Sequence, residues 1–341
     1  MLPLSEMGRA ARGKHERRGQ GSRTGEALDK ASAAAKYWDE NVGHHLESFV
    51  QWNGCPPIQD SHFKLITGRS DYNPVAWFID RHGPFKNMAS IACGDGILER
   101  FVADNYPGQI TGFDISPGSI ERAASLTTNP RAQFEVQDAN TAEWPTEVYD
   151  AVFAHGGLHH IENLDFCIGQ MAKGLKKGGM FYVNDYFGPA RFQFTDTQLR
   201  LARELLAQIP AKFRTGLEPS RCDPVALEAM DPSEAVRPDH TYDAIRSNFE
   251  IVRLFKLGGT LLGPIFGGSC LNKAIVETTE GLEIAARLAD TERALIDSNK
   301  ISSDHLLMVC QKREDRGVKL GATSTRTVGA RRWIRAKLFG S

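Results

Sequence analysis

Four side chains in two short stretches have the chemistry to move a proton. His155 and His159 stand in "AHGGLHHIEN", and Asp185 and Tyr186 in "FYVNDYFGP". A histidine near its ordinary pKa exchanges a proton at neutral pH, and a neighbouring carboxylate or phenol orients it or shares the task. Both stretches follow apolar runs, which makes them the tips of two strands. A third stretch, "SIACGDGILE" at 90–99, offers different chemistry. Gly94 and Gly96 let a backbone turn approach a ligand closely, and the helix-like sequence that follows offers free N–H groups.

These residues need a scaffold, and strand-like and helix-like runs alternate from 87 onward. Short strands are expected at 87–92, 108–114, 132–138, 149–156 and 180–186, with a helix after most of them. Such alternation is the mark of a parallel sheet with crossover helices. Gly178-Gly179 is expected to close the helix before the fifth strand. Thr195 and Gln198 form a capping box for a further helix. Two late strands, 249–257 and 303–312, flank a Gly-rich stretch and the helix "EGLEIAARLADTERALID". The expected organisation is a basic disordered tail at 1–30, a helical cap at 31–86, the α/β domain at 87–312 with an insertion at about 187–248, and a basic tail at 313–341.

The glycine turn suits either a dinucleotide or another nucleoside cofactor. Asp114, at the tip of the second strand, is placed to hold two ribose hydroxyls. Asp138, at the tip of the third, is placed to accept from an adenine amino group, with the Ala139 N–H beside it. A dinucleotide turn wants a small residue at 99, and Glu99 is both large and of the wrong charge for phosphates.

Five segments in order, "SIACGDGILERFV", "ITGFDISPGSIERAA", "FEVQDAN", "YDAVFAHGGLHHIEN" and "GLKKGGMFYVNDYFGP", together resemble the class I S-adenosylmethionine-dependent methyltransferases over 87–188. The resemblance implies a Rossmann-like, mostly parallel seven-stranded sheet with an antiparallel last strand. S-adenosylmethionine is the implied cofactor. Ala92, Cys93, Gly94 and Gly96 would lie against it, Asp114 and Ile115 at its ribose, and Asp138 and Ala139 at its adenine, with His155 close by. Two positions depart from the family pattern: Ser90 stands where an acidic residue is common, and Ala92 where a glycine is. The segments after 186 resemble a bacterial subgroup with a long insertion before the sixth strand, often associated with surface-polysaccharide genes.

Outside the core, Tyr37 and Trp38 sit on a helix that either closes over the cofactor or packs on the core. Arg191 and Phe192 begin the insertion, where a guanidinium suits a phosphate or carboxylate and an aromatic face suits a sugar ring. The same run reads equally as a strand edge that buries its Phe residues. His160 is expected to pack or cap, and His44, His45 and His62 to lie at the surface or in cap packing. No metal is expected, because no third ligand stands at useful spacing.

Composition narrows the function class. Residues 1–23 hold six Lys and Arg against two acids, and residues 312–341 hold nine against two. The remaining 26 basic and 38 acidic residues give the body between them a net charge of −12, which argues against a nucleic-acid partner for it. Six scattered cysteines and the lack of a long apolar run suggest a cytoplasmic protein. The C-terminal "VGARRWIRAKLFGS" has arginines largely opposite an apolar stripe, a pattern that suits an anionic membrane surface. The leading expectation is O-methylation of a carbohydrate or other small-molecule acceptor. The alternatives are a non-catalytic S-adenosylmethionine-binding scaffold tethered at a membrane, and a nicotinamide oxidoreductase.

Overall fold

A computed structural model describes residues 23–40 and 51–313, without the side chains of 23–30. Helix α1 (Arg23–Glu40) comes first, followed by α2 (Pro56–Thr67) and α3 (Pro74–His82). The first sheet strand is β1 (Asn87–Ile91), and the chain then alternates through α4 (Ile97–Asn105), β2 (Gln109–Asp114), α5 (Pro117–Ser125), β3 (Ala132–Val136), β4 (Tyr149–His155), α6 (Leu164–Gly174) and β5 (Leu175–Tyr186). Helices α7 (Asp196–Ala207), α8 (Pro224–Met230) and α9 (Pro238–Asn248) lead to β6 (Phe249–Gly258). Helices α10 (Leu262–Gly267), α11 (Ala274–Glu277) and α12 (Thr279–Asp297) precede β7 (His305–Lys312).

The seven strands run in the order β3-β2-β1-β4-β5-β7-β6, and β7 lies antiparallel to both of its neighbours. This is the Rossmann-like sheet the sequence implied. Local chemistry sets many of the helix starts. Asn73 caps α3 by accepting from the Val75 N–H, Ser116 caps α5 through Ser119, and the Thr195–Gln198 box opens α7. Each orphan N–H satisfied in this way is worth about 1 kcal/mol.

Apolar stripes sort the helices onto the two faces of the sheet. Phe78 of α3 and Val102 and Ala103 of α4 pack on one face with Met88, Phe153 and Tyr182. Leu164, Ile168 and Met171 of α6 and Ile245 of α9 pack on the other with Val152 and Phe181. A separate apolar cluster joins Trp52 and Ile58 to α7, α10 and α12.

Four expectations are revised. Helix α1 begins at Arg23, inside the segment read as a disordered tail. Of the segment read as a cap, α3 packs on the sheet and α2 on α12, because their apolar faces have partners there. The helical layer draws on 259–302 as well as 187–237, while α9 belongs to the sheet's own crossover. Helix α6 stops at Gly174, where a side chain would run into Trp144, and Gly178-Gly179 falls inside β5. Expectations on 1–22, 41–50 (His44 and His45 included) and 314–341 lie outside the described residues. No helix among the described residues is long and apolar enough to cross a membrane.

Glu292, buried on α12, holds the turn between β6 and α10 by accepting from the N–H groups of Gly259, Leu261 and Leu262. Glu292→Ala strands three donors in the interior, so unfolding by urea is expected to show a loss of about 3 kcal/mol or more.

Candidate functional site

The sheet order reverses between β1 and β4, and the crevice above that point is walled by the loops at the strands' carboxyl ends. Its floor is the turn after β1. Ala92, Gly94 and Gly96 take φ of +48°, +54° and +77°, a left-handed run that folds the chain back into α4. A side chain on Gly94 would meet nothing of the protein, because that position faces open space. One on Gly96 would overlap the Phe134 ring. Gly96 leaves α4 without a side-chain cap, so the helix keeps free N–H groups at the crevice.

Asp114 ties this turn to the tip of β2. Its Oδ2 accepts from the Gly94 N–H at 2.9 Å, and its Oδ1 from the Ser116 N–H at 2.9 Å. Burial raises its pKa above the ordinary carboxylate value, with the backbone N–H groups of Ser116, Gly94 and Ile115 pulling the other way. A carboxylate has about four acceptor positions, so Asp114 retains capacity for a hydroxyl donor. Asp138 organises the next loop, accepting at Oδ1 from the Asn140 N–H and at Oδ2 from the Thr141 hydroxyl.

These residues wall a cavity of about 1030 Å³, at the upper end of the usual ligand-site range of about 300–1,000 Å³. Ala92, Cys93, Gly94, Asp114, Ile115, Asp138 and Ala139 all line it, while Gly96 stands just behind. Helix α1 covers one side with Ala34 and Trp38. Asp39, one residue further, anchors that cover by accepting from the Ser116 hydroxyl and the Gly118 N–H at the start of α5. Tyr37 packs edge-on against Trp38 and does not reach the cavity. Sequence reasoning missed Asn73 and the Pro232–Ser233 turn, both of which line the cavity. An Asn-Pro pair at a helix start and the motif "DPSEAVRPD" were the available signals.

The four proton-moving candidates separate. His155 lines the cavity, stacked at 6.4 Å on Tyr182. Its protein surroundings lower its pKa below the ordinary 6.5, and the weaker pull of Asp185 does not reverse this. It is therefore neutral at pH 7 and ready to accept a proton. His159 is buried away from the cavity, its Nδ1 2.6 Å from Asp185 Oδ1 and its Nε2 3.7 Å from Glu234. Burial alone would lower the His159 pKa, yet Asp185 raises it above the ordinary value. Asp185 also accepts from the Gly157 and Leu158 N–H groups, so the pair fixes the loop that carries His155. Tyr186 donates to the Pro189 carbonyl at 3.0 Å and also lies outside the cavity wall. His159, Asp185 and Tyr186 are thus positioning residues, because the strand-tip loop folds over them.

Arg191 and Phe192 also stand apart from the cavity. The Arg191 fork donates to the Glu234 and Pro232 carbonyls at 2.7 and 2.8 Å, so it braces the turn that lines the wall. Phe192 packs on Cys222 and Leu227. His160 reaches the cavity, with Nδ1 3.2 Å from Ser233 Oγ and Trp38 edge-on to its ring. His62 is part-buried, its Nε2 2.8 Å from the Leu257 carbonyl, and burial lowers its pKa to about 4. Among the described residues, one group has donors close enough for a metal: His159, His160 and Glu234 within 4.8 Å. Sequence spacing gave no sign of it, because Glu234 arrives from the insertion.

Residues 89–179 match the family model described as a methyltransferase domain, so the chain carries such a domain. Over 154 residues the chain is 27% identical to 2-methyl-6-phytyl-1,4-hydroquinone methyltransferase of Synechocystis, covering 44% of this chain and 46% of that protein. Over 103 residues it is 30% identical to an uncharacterized methyltransferase of Mycobacterium tuberculosis, covering 30% of this chain and 52% of that one. The chain thus spans about half the length of these relatives. Among solved structures, geranyl diphosphate C-methyltransferase from Streptomyces coelicolor aligns over 83% of this chain and 98% of its own, at 11% identity and a TM-score of 0.49.

The buried pair gives a test of the positioning role. Burial opposes a charged Asp185, but His159 holds its pKa below the ordinary 3.8, while that of His159 lies above 6.5. The pair's contribution is therefore full between those two values. It is lost as pH falls through the folded Asp185 pKa or rises through the folded His159 pKa. Asp185→Asn should lower stability by about 3 kcal/mol in that window, read by urea unfolding, and the difference should shrink at both pH extremes.

Proposed function

We propose that this methyltransferase domain binds S-adenosylmethionine in the cavity and methylates a small-molecule nucleophile, with His155 taking the acceptor's proton. The single observation that carries the reading is the Asp114 carboxylate. It is pinned by the Gly94 and Ser116 N–H groups, retains acceptor capacity, and lines the cavity beside the Gly94 turn. That arrangement fits a ribose, and Asp138 and Ala139 further along the same wall fit a purine edge. Glu99, in the first turn of α4, opposes the pyrophosphate that a dinucleotide would place there.

When bound, S-adenosylmethionine supplies a methyl group already activated by its positively charged sulfur. The protein's part is alignment and exclusion of water. Trp38 and Ala34 cover one side, His155 stands where an acceptor hydroxyl or amine would approach, and the Asp185–His159 pair holds its loop. A neutral His155 is in the protonation state a base needs.

The carbohydrate acceptor expected from sequence drew on the aromatic and Arg-bearing insertion, Arg191 and Phe192 included, and on the resemblance to a subgroup associated with surface-polysaccharide genes. With both side chains outside the cavity wall, the acceptor proposed is a small molecule with an apolar body, matching Val75, Ile97, Leu98, Ile161 and Val236. Contact of the basic C-terminal segment with an anionic membrane surface, on the cytoplasmic side, belongs to the same reading. Its support is the arginine-opposite-apolar pattern of 331–338.

Calorimetry with S-adenosylhomocysteine should show binding to the wild type and none to Asp114→Ala. His155→Ala should bind as the wild type does, but transfer labelled methyl into a small-molecule extract about 10²- to 10⁴-fold more slowly. Equal binding by Asp114→Ala would overturn the ribose assignment. Binding without any transfer by the wild type would favour a non-catalytic scaffold.

A further inference from the structure

We infer that Glu99, presented from helix α4 and bridged to Ser90 of β1, is the carboxylate that receives the ammonium group of the bound cofactor's amino-acid end. This rests on the cofactor reading above and names the residue that recognises the end opposite the adenine. Glu99 is 1% exposed and stands in the cavity wall together with Ser90. The Ser90 hydroxyl donates to Glu99 Oε1, while Oε2 is buried with no hydrogen-bond partner. An ionisable oxygen left unpaired in the interior costs far more than an apolar side chain of the same shape would. A Met at 99 would fill this space without that cost. The carboxylate therefore gains its missing partner from whatever occupies the cavity.

The sheet fixes which part of a ligand that is. Strands β3, β2 and β1 lie side by side, so Asp138 and Asp114 mark successive stations along the carboxyl edge, and the next is the tip of β1. Ser90 lies on β1, and Glu99 stands in the first turn of the helix above it. A ligand with adenine at Asp138 and ribose at Asp114 must extend its amino-acid end there. The protein's own cation nearest in sequence is committed elsewhere, since the Arg100 guanidinium donates to the Asp95 carbonyl. Burial raises the Glu99 pKa to about 7, with Ser90 and Arg100 lowering it and Asp114 raising it; Cys93 is the other titratable group that interacts with it. An incoming ammonium would drive it to the ionised form.

The test compares two ligands by calorimetry. S-adenosylhomocysteine carries the amino-acid end, and 5′-methylthioadenosine keeps the adenosine and sulfur but lacks it. Glu99→Gln keeps the shape and removes the charge. It should weaken S-adenosylhomocysteine about 10- to 100-fold at pH 8 and leave methylthioadenosine unchanged. The wild type should release more heat to a buffer of high ionisation enthalpy at pH 6 than at pH 8, because binding expels the Glu99 proton, and Glu99→Gln should lose that difference. Equal affinity of Glu99→Gln and wild type for S-adenosylhomocysteine would overturn the inference. So would an equal loss for both ligands, which marks a purely structural role. If the wild type bound neither ligand, the cofactor reading itself would fall, a result separable from the other two.

Discussion

The crevice depends on one hydrogen-bonded tie, between the Asp114 carboxylate and the Gly94 N–H. The sheet reverses its order between β1 and β4, so neighbouring connections leave in opposite directions and open a gap at the carboxyl edge. A gap alone is not a site, because the turn after β1 is left-handed at three positions, one of them Ala92, whose Cβ makes that conformation costly to hold. Asp114 holds it from the adjacent strand while itself lining the cavity. The cover formed by α1 is fixed to the same corner, since Asp39 grips Ser116, whose N–H Asp114 also holds. Floor, wall and cover thus meet within three residues of β2's end.

Two departures from the family pattern turn out to have local compensation. Ala92 adopts a φ of +48°, where its Cβ is crowded by its own backbone, and the methyl needs room. Gly157 provides it, for a Cβ on Gly157 would overlap the Ala92 methyl. Ser90 lacks a carboxylate, and Glu99 brings one to the same hydroxyl from the helix above. Ala92 and Gly157 are far apart in sequence, and Ser90 and Glu99, nine residues apart, sit on different elements, so the pairs touch only once β1, β4 and α4 are assembled. This is why the turn holds its shape although two of its expected residues are replaced.

The glycine turn, Asp114 and the order of the first five strands were legible because each is a local pattern: a turn residue, a strand tip, a period. The split among the proton-moving residues was not. His155 and His159 are separated by a short loop, and only its fold decides that one faces the cavity and the other Asp185. Arg191 was read by its side-chain type, which suits an anion, but its partners are the Pro232 and Glu234 carbonyls brought in from the far end of the insertion. The boundaries of the helical layer were hidden for the same reason. Helices α2, α7, α10 and α12 share a core that no single stretch of sequence displays.

On the proposed reading, the cavity wall from Asp138 through Asp114 to Glu99 is a single extended binding surface for an adenosyl amino acid. A crystal structure with S-adenosylhomocysteine tests it most directly. The expected result is the adenine beside Asp138 and Ala139, the ribose hydroxyls on Asp114, and the ammonium within hydrogen-bond reach of Glu99. A ligand bound in the reverse sense, or with Asp114 left out of contact, would contradict it.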